Sequence, residues 1–139
     1  YIKVNSSIPK NIPMKKIIHT TNAPAAIGPY SQAVEVNGTL YISGQVPVNP
    51  ATGQIVEGGI TAQTQQVMRN IGAILKEAGY DFSDVVKSTC LMADMNDFKA
   101  MNEVYGSYYQ TNPPARAAFA VKALPLGALI EIETIAVKA

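Results

Sequence analysis

Apolar residues recur at helical spacing between Ile60 and Ala78, at Ile60, Val67, Ile71, Ile74, Leu75 and Ala78, and Gly79 stands where a glycine ends a helix. A second helix is expected from about Asn96 to Gln110, with Phe98, Met101, Tyr105, Tyr108 and Tyr109 turned inward and Pro113-Pro114 as its stop. The remaining pattern is that of strands. Lys15 to His19 is a short β-rich segment, and Ala33–Val36 and Thr39–Ile42 flank Asn37-Gly38, the dipeptide that suits a two-residue hairpin turn. Ser43-Gly44-Gln45 closes the second of these strands. Val46 to Gly59, with Pro47, Pro50, Gly53, Gly58 and Gly59, reads as a long ordered loop. Asp84 to Ala93 is a β-branched run, and two last strands are expected over about Ala115–Val121 and Leu129–Val137. This order predicts an α+β fold, a mixed sheet with two helices on one face.

The polar side of the pattern is thin. Charged residues make up 15% of the 139 positions and hydrophobic ones 47%, where about 25% charge is usual for a soluble domain. A sheet face left without solvating charge is expected to be covered by a neighbouring copy of the chain. Residues 17–139 hold all ten acidic and seven of the eleven basic side chains, a formal charge of −3, which argues against a nucleic-acid footprint. No apolar run reaches the about 18 residues of a membrane helix, since Lys122 and Pro125 break the best stretch, so a soluble protein is expected, and the single cysteine fits a reducing compartment, cytoplasmic or, from a eukaryotic source, mitochondrial. One cysteine, Cys90, and one histidine, His19, cannot supply a typical zinc or copper ligand set. Residues 1–13 show no periodicity and precede Met14-Lys15-Lys16; they are expected to be an extension, with one domain over 14–139.

Candidate chemistry lies near the C-terminal end. Arg116 is one of only two arginines beside nine lysines, and its planar fork can grip a carboxylate with two parallel bonds, which lysine cannot. Glu131 and Glu133 share one strand face at period two, so spacing does not choose between them. Arg116 could equally be an edge-strand charge paired with one of those glutamates. Tyr30 could pack a loop on the sheet, Asn102 could be an exposed helix residue, Ser43 a turn former, and Gly28 and Gly44 turn glycines. His19 reads as a strand-surface residue and Cys90 as a buried core thiol.

Pro114-Ala115-Arg116-Ala117-Ala118-Phe119, followed by Ile130-Glu131-Ile132, resembles the signature of the Rid family of reactive-intermediate deaminases, also called the YjgF family. The likeness runs from about Lys16 to the end and takes in Ala23 through Gln32, Ile42-Ser43-Gly44-Gln45-Val46-Pro47, Gly79 and Asn96-Asp97-Phe98. It implies a chorismate-mutase-like fold, a homotrimer whose sheets form a central barrel, and clefts between subunits. The implied activity is hydrolysis of 2-imino and 2-enamino acids, released by pyridoxal-phosphate-dependent dehydratases, to 2-oxo acids and ammonia, without a cofactor. By position the carboxylate-binding arginine falls on Arg116, the water-handling glutamate on Glu131, the lid tyrosine on Tyr30, and supporting polar residues on Ser43 and Asn102. Gly44 falls in the backbone wall of the cleft. Ala118 stands where many members have cysteine, and its expected contact is through backbone.

Such a site would hold the substrate's carboxylate on Arg116 and aim water through Glu131, a role that improves where burial raises the glutamate's pKa. Two other classes of function compete: a ribonuclease or translation inhibitor, which a lone histidine and an acidic body disfavour, and a non-catalytic trimer that binds small carboxylates or acts as a holdase.

Overall fold

In the computed structural model, which describes residues 14–139, six strands form one sheet in the order β1-β2-β3-β8-β6-β7. These are β1 (Lys16–Ile18), β2 (Ala33–Val36), β3 (Thr39–Gln45), β6 (Val85–Met92), β7 (Ala115–Ala120) and β8 (Ile130–Val137). Only β6 and β7 run parallel; the other neighbours are antiparallel. The sheet is therefore mixed, as expected. The extension assigned to residues 1–13 lies outside the described residues.

The β2–β3 hairpin turns at Asn37 and Gly38, whose φ values of 50° and 75° are the two positive angles that a type I′ turn demands. Helix α1 (Gly59–Ala78) buries Val67, Met68, Ile71, Ile74 and Leu75 and ends at Gly79, where the Tyr80 N–H reaches back to the Leu75 carbonyl at 2.8 Å. Its stripe packs on inner-face residues of the sheet, among them Leu40, Ile42, Ile130, Ile132 and Ala136. Cys90 is in this core, as expected of a structural thiol; burial pushes its pKa up to about 11.

Three boundaries differ from the sequence expectation. The stretch Val46–Gly59 is not all loop. It contains a two-stranded ribbon, β4 (Val48–Asn49) and β5 (Gln54–Ile55), turned by Asn49, whose carbonyl accepts from Thr52 and Gly53 and whose Oδ1 accepts from the Ala51 N–H. Strands of two residues are too short to show a period. The second helix, α2, spans Phe98–Tyr108, because Met95–Asp97 forms a 3₁₀ turn in which the Asp94 side chain accepts from the Asn96 N–H. Finally, β3 carries a bulge. Ile42 faces Thr134 and Gln45 faces Ile132, so that Ser43 and Gly44 both stand opposite Glu133.

Strand β8 lies between β3 and β6 and alternates Ile130, Ile132, Thr134 and Ala136 toward the helices with Glu131, Glu133, Ile135 and Val137 toward the other face. That other face is rich in exposed apolar groups, with Tyr41 51% and Phe119 48% accessible.

Candidate functional site

A cleft of about 780 Å³ opens where the β3 bulge meets β8. Tyr30, Ser43, Gly44, Glu131 and Glu133 supply its polar side, while Ile27, Val46, Val48, Pro50 and Leu126 make much of the rest apolar. The bulge explains the arrangement, since it turns Ser43 and Gly44 together toward the glutamates. The Glu131 carboxylate lies directly over Gly44: a Cβ built there would collide with Oε2 and stand 2.9 Å from Cδ. Gly44→Ala must therefore push the carboxylate aside. Because the displaced atoms are the end of a flexible side chain, the fold should hold, with Tm within a few degrees of wild type, while turnover of a cleft substrate falls about tenfold or more. Melting curves and initial rates on the same preparation check both halves.

Burial, and after it the neighbouring Glu133 charge, raises the Glu131 pKa above the ordinary carboxylate value. A raised carboxyl pKa disfavours the ionised native state. The associated stability is whole below the unfolded-chain pKa and is lost as pH rises through the folded one. Glu131→Gln should accordingly melt at a higher temperature than wild type at neutral pH, with the difference closing once pH drops below the ordinary carboxylate range. Thermal melts across that range read it.

The cleft's walls are tied down by amides that sequence reasoning did not single out. Gln32 accepts from the Thr20 N–H at 2.7 Å and donates to the Thr20, Ala23 and Pro24 carbonyls, so it fixes the loop that carries Pro24, Ala25, Ile27 and Tyr30. Ser43 Oγ donates to the Ser31 carbonyl, which joins the bulge to the same loop. From α1, Asn70 donates to the Val46 and Val48 carbonyls, and Gln63 accepts the Leu129 N–H just before β8. Gln63 and Asn70 sit at the helical spacing of the buried stripe, with Val67 and Ile74. Polar residues in a core register were the signal available in the sequence.

Arg116, Asn102 and Ala118 form a second group elsewhere. In β7, Arg116 pairs with Ser88 and Ala118 with Cys90; Ser88 and Cys90 in turn pair with Thr134 and Ile132 of β8. These are helix-side positions, whereas Glu131 and Glu133 point to the opposite face. An ion pair between Arg116 and either glutamate, one of the readings open in the sequence, is therefore not made within the chain. Arg116 instead donates through Nη1 to Asn102 Oδ1 at 2.6 Å. Its guanidinium is otherwise exposed, on the edge strand of the sheet.

The expected site residues thus fall into two groups on opposite faces, Tyr30, Ser43, Gly44 and Glu131 in one and Asn102, Arg116 and Ala118 in the other. His19 is exposed beyond the end of β1 and does not line the cleft. Among the described residues, no three His, Cys, Asp or Glu side chains come together as metal ligands would, and no helix is long and apolar enough to cross a membrane.

Residues 20–138 match the family described as Endoribonuclease L-PSP. The chain belongs to that family. A relative from Mus musculus named 2-iminobutanoate/2-iminopropanoate deaminase is 58% identical over 90% of this chain and 93% of its own. Among solved structures, a protein of the conserved Rid family from Yersinia pestis superposes with a TM-score of 0.88 at 49% identity, over 90% of this chain and all of that one. The E. coli TdcF structure, with bound serine, gives 0.84 at 40% identity, over 89% and 99%. Membership in the Rid, or L-PSP, family agrees with the motifs around Arg116 and Glu131, and these neighbours share the mixed α+β fold.

Proposed function

We propose that the protein hydrolyses short 2-imino acids and their 2-enamino tautomers to 2-oxo acids and ammonia, in sites assembled from two copies of the chain. The observation that carries this reading is the Glu131 carboxyl, raised in pKa and seated over Gly44 in a mostly apolar cleft. Such a group can take a proton from water and return it to a departing nitrogen. The relatives named as 2-iminobutanoate/2-iminopropanoate deaminases, and the serine held by the TdcF relative, point to small α-carboxylates as substrates.

The protonated imine carries its positive nitrogen on the carbon beside the carboxylate. Arg116 of one copy binds that carboxylate through two N–H groups and turns the C=N carbon toward Glu131 of the other. Water adds to the carbon as Glu131 accepts its proton, giving a carbinolamine. Glu131 then returns the proton to the amino group, the C–N bond breaks with loss of ammonia, and the remaining hydroxyl passes its proton to that ammonia as it becomes the carbonyl of the 2-oxo acid, leaving ammonium as the second product. Tyr30 covers the cleft, Ser43 and Gly44 line it, and Asn102 aims the arginine. The exposed apolar sheet face, with Tyr41 and Phe119, is the surface on which copies close into a homotrimer. Pyridoxal-phosphate-dependent dehydratases release substrates of this kind.

The test generates 2-iminobutanoate and 2-iminopropanoate in situ with an amino-acid oxidase or a threonine dehydratase and traps the imine with semicarbazide. Catalytic amounts of the protein should suppress the semicarbazone signal. An unchanged signal would leave a carboxylate-binding cleft without turnover and overturn the proposal.

A further inference from the structure

Three residues of α2 converge on Arg116. Phe98, Asn102 and Tyr105 follow the i, i+4, i+7 spacing of one helical stripe. The Arg116 Cζ lies 5.0 Å from the Tyr105 ring centroid and 5.3 Å from that of Phe98, while Asn102 takes one guanidinium N–H. The outer members of the stripe therefore present π faces to the cation, and the middle one presents an oxygen. Tyr105 is 5% exposed and belongs to the core, so its ring is an anchored surface for an otherwise exposed cation. That ring packs at 4.8 Å on Tyr109, which meets Phe82 edge-on at 5.7 Å, and Phe82 also touches Tyr108. The contact with Arg116 is made by the ring and not by the Tyr105 hydroxyl, which is buried near the Ser88 side chain.

We propose that Phe98 and Tyr105 are positioning residues for Arg116: their ring faces, with the Asn102 oxygen, hold the guanidinium plane in the orientation that receives a substrate carboxylate. An arginine on an edge strand has about 2 kcal/mol of rotamer freedom to lose on binding. A cradle that removes much of this freedom beforehand strengthens ground-state binding, so its loss falls on KM more than on kcat. The planar guanidinium suits such a cradle, since it stacks on aromatic faces as an ammonium does not. This rests on the reading of Arg116 as the carboxylate anchor, and the experiment separates the two.

Steady-state constants for 2-iminobutanoate are measured for wild type and for Tyr105→Leu, Phe98→Leu, Tyr105→Phe, Tyr109→Leu and Arg116→Ala, with a melting curve for each. Tyr105→Leu and Phe98→Leu should each raise KM roughly five- to thirtyfold with kcat within about twofold. Tyr105→Phe should keep the wild-type KM, because it retains the ring face on which Arg116 lies. Tyr109→Leu disturbs the same aromatic packing without touching Arg116; it should lower Tm and move KM far less than either leucine variant at positions 98 and 105. Unchanged KM in both leucine variants at positions 98 and 105 overturns the cradle, as does a rise in Tyr109→Leu that matches them. If Arg116→Ala keeps the wild-type KM, the anchor reading falls and the cradle with it. If Arg116→Ala loses binding while the two leucine variants do not, the cradle alone falls.

Discussion

Arg116→Ala removes deaminase activity and leaves a folded protein. The expected loss in kcat/KM is roughly 30- to 5,000-fold, the equivalent of about 2–5 kcal/mol for truncating one partner of a desolvated, hydrogen-bonded charge pair. Folding is spared because the side chain is on the exposed edge strand, bonded to Asn102 and stacked on two rings, and the core beneath it closes without it. Arg116→Lys should recover little of the loss, since an ammonium offers neither a two-bond fork nor a plane to lie between Phe98 and Tyr105. The measurement is the semicarbazide assay beside a melting curve. Near-normal turnover by the lysine variant would rule out a two-bond grip, and a collapsed melting transition in Arg116→Ala would make the arginine structural.

A mixture of two inactive proteins should be active. Arg116 and Glu131 occupy opposite faces of one sheet, so the Arg116→Ala chain still carries an intact glutamate half-site and the Glu131→Gln chain an intact arginine half-site. Co-expressed and assembled at random around a closed ring, each junction has about a one-in-four chance of joining two intact halves. The co-assembled preparation should therefore show about a quarter of wild-type activity, against nearly none for either parent. The double variant Arg116→Ala/Glu131→Gln, co-expressed with wild type, supplies the counterpart: it adds no intact half and spoils the junctions it enters, so at equal expression activity should fall to about a quarter of wild type, below the half that dilution alone would leave. Activity absent from the mixture would place both residues in a site within one copy or deny one of them its role.

The sequence exposed some of this plainly and hid the rest for physical reasons. The hairpin at Asn37-Gly38 and helix α1 with its Gly79 stop were legible because turn chemistry and helical period are local properties. The β4–β5 ribbon was not, since two-residue strands have no period. Nor was the bulge at Ser43-Gly44, because a bulge is defined by the partner strand, which lies about 90 residues away in the chain. The choice between Glu131 and Glu133 illustrates the limit best. Both alternate outward on β8, and spacing treats them alike; what separates them is that Glu131 is half-buried over Gly44 while Glu133 is exposed. Asn70 and Gln63 were hidden in another way, as polar letters within an apolar stripe, whose carbonyl and N–H partners appear only when the cleft's walls are in place.

Under the proposed two-copy site, the placement of Arg116 and Glu131 on two faces also makes catalysis depend on how much protein is present. A chain that carried its whole site would keep a constant specific activity on dilution until it unfolded. On the two-copy reading the glutamate and the arginine meet only through association, so specific activity should decline below the dissociation constant of the assembly while each chain stays folded. Expression level would then set the output of every molecule as well as the number of molecules, and a cell that lowered synthesis of this protein would lose activity faster than it lost protein.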